Sequence, residues 1–452
     1  MTILQNGTLV LPEGPARADL AFDAGKIRAI APSIAPKEGD SVRDVSGCLV
    51  FPGFIDGHTH LDMESAVTVT ADDFASGTRA AVCGGTTTVL DFATQDRGGT
   101  LQQALDAWHK KADGKCSCNY GFHMAITDWN ESVKAELPAM FEQGVTSFKA
   151  YMAYDALKLD DAALLDVLCA LRPFGGILGV HCENGALVNA LCAREKARGN
   201  LGPAAHPASR PPEVEAEAVS RLCYLGKLAD APVHVVHLSS AAGLAEVRKA
   251  RAQGVRVYAE TCPQYLVLDD SLYRLPGFEG AKYVMSPPLR SRADRDALRR
   301  AVEDGEIDTI STDHCSYRFD GQKTIGLHDF TVIPNGGPGI EHRPEIIYTS
   351  FVHPGRLTPA AMCRLLAENP ARLFGLYPRK GVLAAGSDAD ITVWDPAATS
   401  VITAKEQQQN VDYTPYEGFA LHGMPAAVYV NGVLAAEYGR PTGAVAGEYC
   451  KR

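Results

Sequence analysis

Eight apolar, β-branched segments, separated by alanine-rich helical segments, follow residue 48 and constrain the fold more than any other feature. Near-continuous apolar runs are typical of parallel strands buried on both faces of a sheet. Eight repeats are the number that closes a (β/α)₈ TIM barrel of the α/β class. The predicted strands are 49–56, 86–92, 119–126, 145–151, 176–182, 232–238, 255–261 and 307–312, and the predicted helices include 71–83, 101–112, 160–171 and 214–229.

The two ends of the chain share short β-like runs and turns that the middle lacks. Asn6-Gly7 lies between apolar pairs and predicts a hairpin turn, and Asn431-Gly432 follows another strand-like run. Since chain termini tend to lie close together, we expect one small β-sandwich domain built from residues 1–48 and 380–438. The barrel, residues 49–379, would be inserted in it, and residues 439–452 would form a C-terminal tail that is mobile or reaches another subunit.

Composition excludes several classes of protein. The chain has 452 residues, 46% of them hydrophobic and 21% charged, as in globular proteins. The net charge of −11 argues against nucleic-acid or anionic-membrane partners, which need a basic face. No apolar run approaches the ~20 residues of a spanning helix, and the N-terminus has no signal-peptide pattern. We therefore expect a cytoplasmic protein whose 12 cysteines, including Cys116 and Cys118, are reduced.

The first candidate site is His58-Thr59-His60, at the end of the first predicted strand. Residues i and i+2 of a strand face the same side, so both imidazoles can bind one metal ion. The pattern alone is common. Its place at the C-terminal end of a barrel strand favours a site, because barrel active sites lie at that face.

Ligand-type residues end other predicted strands as well: His181, His237 and Asp313, with Lys149 late in its strand. Any one of them could be an ordinary rim residue, but their joint occurrence indicates a metal site. His234 has the wrong parity and is expected to be structural. An ordinary Lys149 is an ammonium with no lone pair for a metal, so its simplest role is a salt bridge. As a carbamate formed with CO₂, it could bridge two ions.

Nine segments make the chain resemble the dihydropyrimidinases and bacterial D-hydantoinases (phenylhydantoinases among them), which are cyclic amidohydrolases. The resemblance covers nearly the whole chain. The segments are PGFIDGHTH (52–60), GGTTT (84–88), SFKAYMAY (147–154), HCENG (181–185), HVVHLSS (234–240), SPPLR (286–290), STDHC (311–315), IPNGGPGIE (333–341) and VDYTPYEG (411–418).

The resemblance implies a metal-dependent enzyme that opens dihydropyrimidine and 5-substituted hydantoin rings to N-carbamoyl amino acids. Two zinc ions would be bridged by carboxylated Lys149 and a hydroxide that attacks the ring carbonyl. His58, His60 and Asp313 would bind one ion, and His181 and His237 the other.

The resemblance also implies roles for the residues around the metal ligands. Asp313 would shuttle the proton, and Tyr154 with one zinc would stabilise the oxyanion. Backbone groups at Ser286 and Asn335 would bind the imide edge of the small-molecule substrate. Loops 61–67 and 152–159 would cover its ring substituent, with pocket-wall candidates that could equally be core residues: Met63, Met152, Leu157 and Leu159. The family is usually a homotetramer.

Three alternatives stay open. A dihydroorotase is disfavoured because its usual Arg directly after the HxH pair is Leu61 here. An allantoinase shares the metal ligands, but segments 151–154 and 334–336 resemble the hydantoinase branch. A non-catalytic scaffold, like the collapsin response mediator proteins, is disfavoured because all six ligand positions are filled.

Overall fold

The computed structural model describes residues 1–65 and 67–452, which form two sheets covered by helices. In chain order the strands are β1 (Thr2–Leu11), β2 (Gly14–Asp23), β3 (Lys26–Ala31), β4 (Ser41–Asp44), β5 (Leu49–Pro52), β6 (Phe54–Thr59), β7 (Thr86–Thr94), β8 (Asn119–Ala125), β9 (Ser147–Tyr151), β10 (Ile177–His181), β11 (Val233–Val235), β12 (Val257–Thr261), β13 (Thr309–Ile310), β14 (Ile391–Val401), β15 (Ala420–Val430), β16 (Val433–Glu437) and β17 (Arg440–Pro441).

The strands β6 to β13 form one parallel sheet in chain order. Its two edges approach each other, because Thr59 pairs in parallel with His314 and the amide of His60 donates to the His314 carbonyl at 2.8 Å. The predicted eight-stranded barrel is confirmed. Its last strand is shorter than predicted, with two residues in the ladder.

Helices alternate with the barrel strands. Asp73 and Thr100 begin the first two with capping boxes, in which the cap side chain accepts from the third helical amide. No helix of the described residues is both long and apolar enough to cross a membrane. The α-helices are α1 (Phe74–Cys83), α2 (Leu101–Ala112), α3 (Glu131–Ala135), α4 (Leu137–Glu142), α5 (Asp161–Leu171), α6 (Gly185–Ala197), α7 (Ala205–Ser209), α8 (Pro212–Ala229), α9 (Ala241–Ala252), α10 (Pro263–Val267), α11 (Arg292–Glu303), α12 (Arg343–Ile347), α13 (Pro359–Cys363) and α14 (Asn369–Leu373).

The second sheet is built from both ends of the chain, as predicted. It is mostly antiparallel and has the strand order β17-β16-β15-β14-β5-β1-β2-β3, with β4 paired to β1. The strand β5 joins the two halves, because it pairs in parallel with β1 and antiparallel with β14.

The predicted first barrel strand, 49–56, is divided between the two sheets. Its first half is β5 in the terminal sheet, and its second half is β6 in the barrel. Gly53 lies at the break, where a Cβ atom would be 2.0 Å from Oγ1 of Thr87. Because strands of both sheets are apolar at this point, hydrophobicity did not reveal the division.

The prediction of a hairpin turn at Asn6-Gly7 is wrong. The strand β1 continues through both residues with a register shift, and Asn6 takes a left-handed φ of 66° while its amide donates to Oδ1 of Asp19 at 2.9 Å. Asn favours this conformation in bulges as well as in turns. The turn at Asn431-Gly432 is present between β15 and β16.

A buried polar junction around Asp390 joins the barrel to the terminal sheet. Its carboxylate accepts from Nδ2 of Asn119 at 3.1 Å and from Nζ of Lys380 at 2.5 Å. It also accepts from the amide of Asn431 at 2.8 Å. One side chain therefore connects the start of a barrel strand, the strand β14 and the β15–β16 turn.

The last residues lie against the barrel instead of extending from it. Tyr449 pairs in parallel with Tyr120, and the amide of Cys450 donates to the Tyr120 carbonyl at 2.6 Å. The Arg452 guanidinium donates to Oγ of Ser147 at 2.6 Å. The end of the predicted tail therefore packs on the barrel of its own chain, and its participation in subunit contacts stays a prediction.

Candidate active site

The ends of five barrel strands bring the predicted ligand side chains together at one rim of the barrel. Oδ1 of Asp313 lies 3.1 Å from Nε2 of His58 and 3.2 Å from Nε2 of His60. Ligand atoms of these three residues all lie within 4.8 Å of one another. Nδ1 of His181 lies 3.0 Å from Nε2 of His237.

Lys149 lies beside the first group, with Nζ 3.5 Å from Nε2 of His58. Its side chain is 1% exposed, and Nζ lies over the rings of Phe92 and Tyr151 at 4.9 and 5.5 Å. Burial lowers the pKa of Lys149 to about 8. The lowered pKa increases the fraction of neutral amine, the form that reacts with CO₂, near neutral pH.

Two buried glutamates fix which imidazole nitrogens can bind a metal. Oε1 of Glu260 lies 2.8 Å from Nδ1 of His58, and Oε2 of Glu183 lies 2.8 Å from Nε2 of His181. An imidazole that donates to a carboxylate from one nitrogen keeps a lone pair on the other. The lone pairs are thereby placed on Nε2 of His58 and Nδ1 of His181, the two atoms that face the neighbouring ligand atoms.

The protonation states also suit a divalent cation. Burial lowers the pKa values of His60, His181 and His237, so these imidazoles are neutral at pH 7. Asp313 and Glu260 raise the pKa of His58 against the effect of burial, so His58 has to release a proton when a cation binds. Burial opposes ionisation of Asp313, but the adjacent His58 and His60 hold the pKa of its carboxyl well below the usual range. Neutral imidazoles and an ionised carboxylate are the donor set that zinc and similar ions bind.

Three residues at the site have unusual backbone conformations. The φ angles of Tyr154, His237 and Asp313 are 68°, 39° and 52°, in the left-handed region that costs a non-glycine residue about 1–3 kcal/mol. Such strain persists where surrounding contacts determine the conformation and commonly marks functional sites. Here it aims the three side chains into one cavity.

Tyr154 adjoins the second histidine pair. Its ring centroid is 5.1 Å from that of His181, and the guanidinium carbon of Arg210 lies 5.6 Å from its ring centroid. Burial raises the pKa of Tyr154 to about 12, although Arg210 and Ser286 act in the opposite direction. The phenol is protonated at neutral pH and can donate a hydrogen bond.

Ser286 and Asn335 both line the same cavity. Oγ of Ser286 and Oδ1 of Asn335 are buried and have no hydrogen-bond partner among the described residues. Buried polar atoms without partners are rare and mark places where a ligand can satisfy them.

The cavity has a volume of about 590 Å³ and contains all six predicted metal ligands in its wall. Met63 and Leu157 also line it, whereas Met152 and Leu159 belong to the hydrophobic core. Of the two alternatives, pocket wall and core, Met152 and Leu159 therefore take the second. In the predicted loop 61–67, residue 66 lies outside the described residues.

Some supporting residues were missed by sequence reasoning. Glu183, Glu260 and Arg210 are 0%, 0% and 7% exposed, and Arg210 donates to Oε2 of Glu183 at 2.6 Å. A signal existed for Glu260, which comes next to last in a predicted barrel strand. Glu183 follows His181 by two residues, the spacing at which side chains share a face.

Comparisons with known proteins show which family the chain belongs to. The sequence model of the Amidohydrolase family matches residues 49–435. The chain is 43% identical to a D-hydantoinase of Geobacillus stearothermophilus over 100% of this chain and 96% of that one. It is 40% identical to a D-phenylhydantoinase of Escherichia coli over 93% and 91% of the two chains.

Solved structures give the same result. The crystal structure of dihydropyrimidinase from Brevibacillus agri NCHU1002 superimposes with a TM-score of 0.98 at 42% identity, over 100% of this chain and 98% of that chain. With the motifs, the barrel and the family match in agreement, the chain belongs to the amidohydrolase family.

Proposed function

We propose that the protein is a metal-dependent cyclic amidohydrolase that opens dihydropyrimidine and 5-substituted hydantoin rings to N-carbamoyl amino acids. The observation that carries the proposal is the convergence of two ligand groups, His58/His60/Asp313 and His181/His237, beside a buried Lys149. The names of the relatives, D-hydantoinase, D-phenylhydantoinase and dihydropyrimidinase, support this substrate class.

Two divalent ions, zinc in our proposal, would be held by these residues. His58, His60 and Asp313 would hold one, His181 and His237 the other, and Lys149 as a carbamate would contribute an oxygen to each. An uncharged lysine at this position is favoured by its burial. Manganese and cobalt accept the same kinds of ligand.

When bound, the two ions supply hydroxide at neutral pH and polarise the ring carbonyl. Asp313 accepts the proton of the attacking oxygen as that oxygen bonds to the carbonyl carbon, and it returns the proton to the ring nitrogen as the carbon–nitrogen bond breaks. Tyr154 donates its phenolic hydrogen bond to the carbonyl oxygen as negative charge develops there.

The imide edge of the ring would be bound by backbone groups of Ser286 and Asn335, which lie on two neighbouring segments of the cavity wall. The ring substituent would extend past Met63 and Leu157. At the position that carries Arg in dihydroorotases, Leu61 is 0% exposed and packs toward Gly77, so it offers no cation to a substrate carboxylate.

The test is ring-opening activity after purification with zinc and bicarbonate. We expect hydrolysis of dihydrouracil or 5-phenylhydantoin, weak or no hydrolysis of allantoin and dihydroorotate, and loss of activity in Lys149→Ala. Lys405→Ala, which changes an exposed lysine, is the matched control. With ¹³C-bicarbonate, a carbamate carbon signal should appear in the wild type and be absent in Lys149→Ala.

Two outcomes would contradict the proposal. Preferred hydrolysis of dihydroorotate or allantoin would reassign the substrate and keep the metal site. A folded protein that binds no metal and opens no ring would support the scaffold alternative.

We also infer a homotetramer, for which Tyr224 and Leu228 on α8, 53% and 74% exposed, offer apolar contact surface. Light scattering of the purified protein tests this inference. Twelve free cysteines suit a reducing compartment, and a cytoplasmic location stays a prediction.

A further inference from the structure

Lys323 is a buried lysine with an unusual set of partners. Its side chain is 0% exposed, and Nζ donates to the backbone carbonyls of Val284 at 2.7 Å, Pro334 at 2.7 Å and Gly336 at 2.6 Å. Three carbonyls match the three donors of an ammonium group. No carboxylate lies within salt-bridge distance of Nζ in the described part of the chain.

The three carbonyls belong to the two segments that carry the proposed imide-binding groups. Val284 precedes Ser286 by two residues, and Pro334 and Gly336 flank Asn335. One direct backbone hydrogen bond joins these segments, from the amide of Gly336 to the Val284 carbonyl at 3.0 Å. Lys323 therefore stands where it can set the spacing between them.

The Asn335 segment is also fixed from its other side. Gly336 has a φ of 144°, and a Cβ atom there would be 2.4 Å from the Cys315 carbonyl oxygen. The amide of Cys315 donates to the Gly337 carbonyl at 3.2 Å. The segment is thus confined between the rim strand that carries Asp313 and the ammonium of Lys323.

A buried ammonium without a carboxylate costs free energy, and burial lowers the pKa of Lys323 to about 7. Elsewhere in the chain the buried Lys380 has two carboxylates, those of Asp388 at 2.9 Å and Asp390 at 2.5 Å. Lys323 has backbone carbonyls of the two loops in their place.

We propose that Lys323 is a positioning residue, which holds the Ser286 and Asn335 segments at the separation that fits the imide edge of the ring. The inference rests on the proposed function. Lys323 has no contact with the reacting atoms in this role, since its three donors are all spent on carbonyls. Its effect is on ring binding, in the ground state and the transition state alike, and therefore on KM more than on kcat.

The test compares Lys323→Met and Lys323→Gln with Lys380→Met in steady-state hydrolysis of dihydrouracil. Lys323→Met removes all three donors, so we expect KM to rise about tenfold or more while kcat changes less than about threefold. Lys323→Gln keeps two donors and should show a smaller rise. Lys380→Met should lose thermal stability and keep its KM.

Zinc content is the second readout, since the two segments contain no metal ligand. It should equal that of the wild type in both Lys323 variants. An unchanged KM in the Lys323 variants would overturn the inference. A rise in KM would also overturn it if these variants lose zinc, or if Lys380→Met shows an equal rise in KM. If Lys323→Met does not fold, the KM of Lys323→Gln decides.

Failure of the inference and failure of the proposed function give different results. If the wild type opens none of the rings, the proposed function fails and the inference fails with it. If the wild type is active and the Lys323 variants have its KM, only the inference fails.

Discussion

At the scale of single residues, Glu260 contacts the proposed metal ligand His58 without lining the cavity. Its Oε1 holds Nδ1 of His58, and its Oε2 accepts from Oγ of Ser311 at 2.9 Å. Removal of such a partner of a ligating histidine typically weakens metal binding 10- to 100-fold. We expect a loss in that range, roughly 10- to 100-fold, for Glu260→Gln in a chelator-competition titration.

The matched control is Glu345→Gln. Glu345 is also a buried carboxylate paired with an imidazole, at 3.2 Å from Nδ1 of His342, but neither residue lines the cavity. Equal metal affinities in Glu260→Gln and the wild type would contradict the assigned role.

The buried imidazole of His206 should make the stability of the protein depend on pH. It is 3% exposed and donates from Nε2 to the Met285 carbonyl at 2.8 Å; burial, with Arg210 nearby, lowers its pKa to about 3. Because the unfolded chain takes up this proton near pH ~6.5 and the native state does not, stability falls as pH decreases from ~6.5 towards 3. The contribution approaches about 1.4 kcal/mol per pH unit.

Urea unfolding at pH 7, 6 and 5 measures this contribution. In His206→Gln the free energy of unfolding should fall less steeply with acidification than in the wild type. His328→Gln, at an exposed position, should follow the wild-type slope. Parallel slopes for His206→Gln and the wild type would show that the native state can protonate this imidazole.

The sequence predicts the ligand candidates at strand ends for two reasons. Alternate residues of a strand face the same side, and the carboxyl ends of all barrel strands meet at one rim. The sequence does not select Lys323, which follows Asp320-Gly321 in a segment typical of an exposed turn. Its burial depends on loops that are distant in sequence, and the left-handed conformation of Tyr154 likewise has no local signal.

At the scale of elements, Gly84 allows the end of α1 to pack closely against the Glu341 backbone. It ends the helix, and a Cβ atom there would be 1.7 Å from the Glu341 carbonyl oxygen. Since backbone has to move, Gly84→Ala should destabilise the protein by about 3 kcal/mol. Gly202→Ala, where no atom lies within 4 Å, should stay within about 0.5 kcal/mol of the wild type in denaturant unfolding.

Elements with a clear period are predicted well, and boundaries between sheets are not. The segment 101–112 is helical over its whole predicted length. The segment 49–56 is one apolar run in sequence but two strands in space, because the identity of a strand's partner is a long-range property.

At the scale of the whole molecule, Asp390 couples the two sheets. Asp390→Ala would leave the ammonium of Lys380 with one carboxylate partner and remove the acceptor of Asn119. Because Asp388 still compensates Lys380, we expect the loss of these buried contacts to cost about 1–3 kcal/mol. Calorimetry should show the reduced stability, while kcat and KM stay at their wild-type values because the junction lies outside the cavity.

The order of synthesis gives β5 a further significance. Its partner β14 follows it by about 340 residues, so the ribosome needs roughly 20 to 70 s to deliver that partner at ordinary elongation rates. During this interval β5 lacks its partner β14, and its unpaired edge can form hydrogen bonds with another chain, which leads to aggregation. The time for which a nascent chain is exposed to misassembly is therefore set by the position of β14 in the gene.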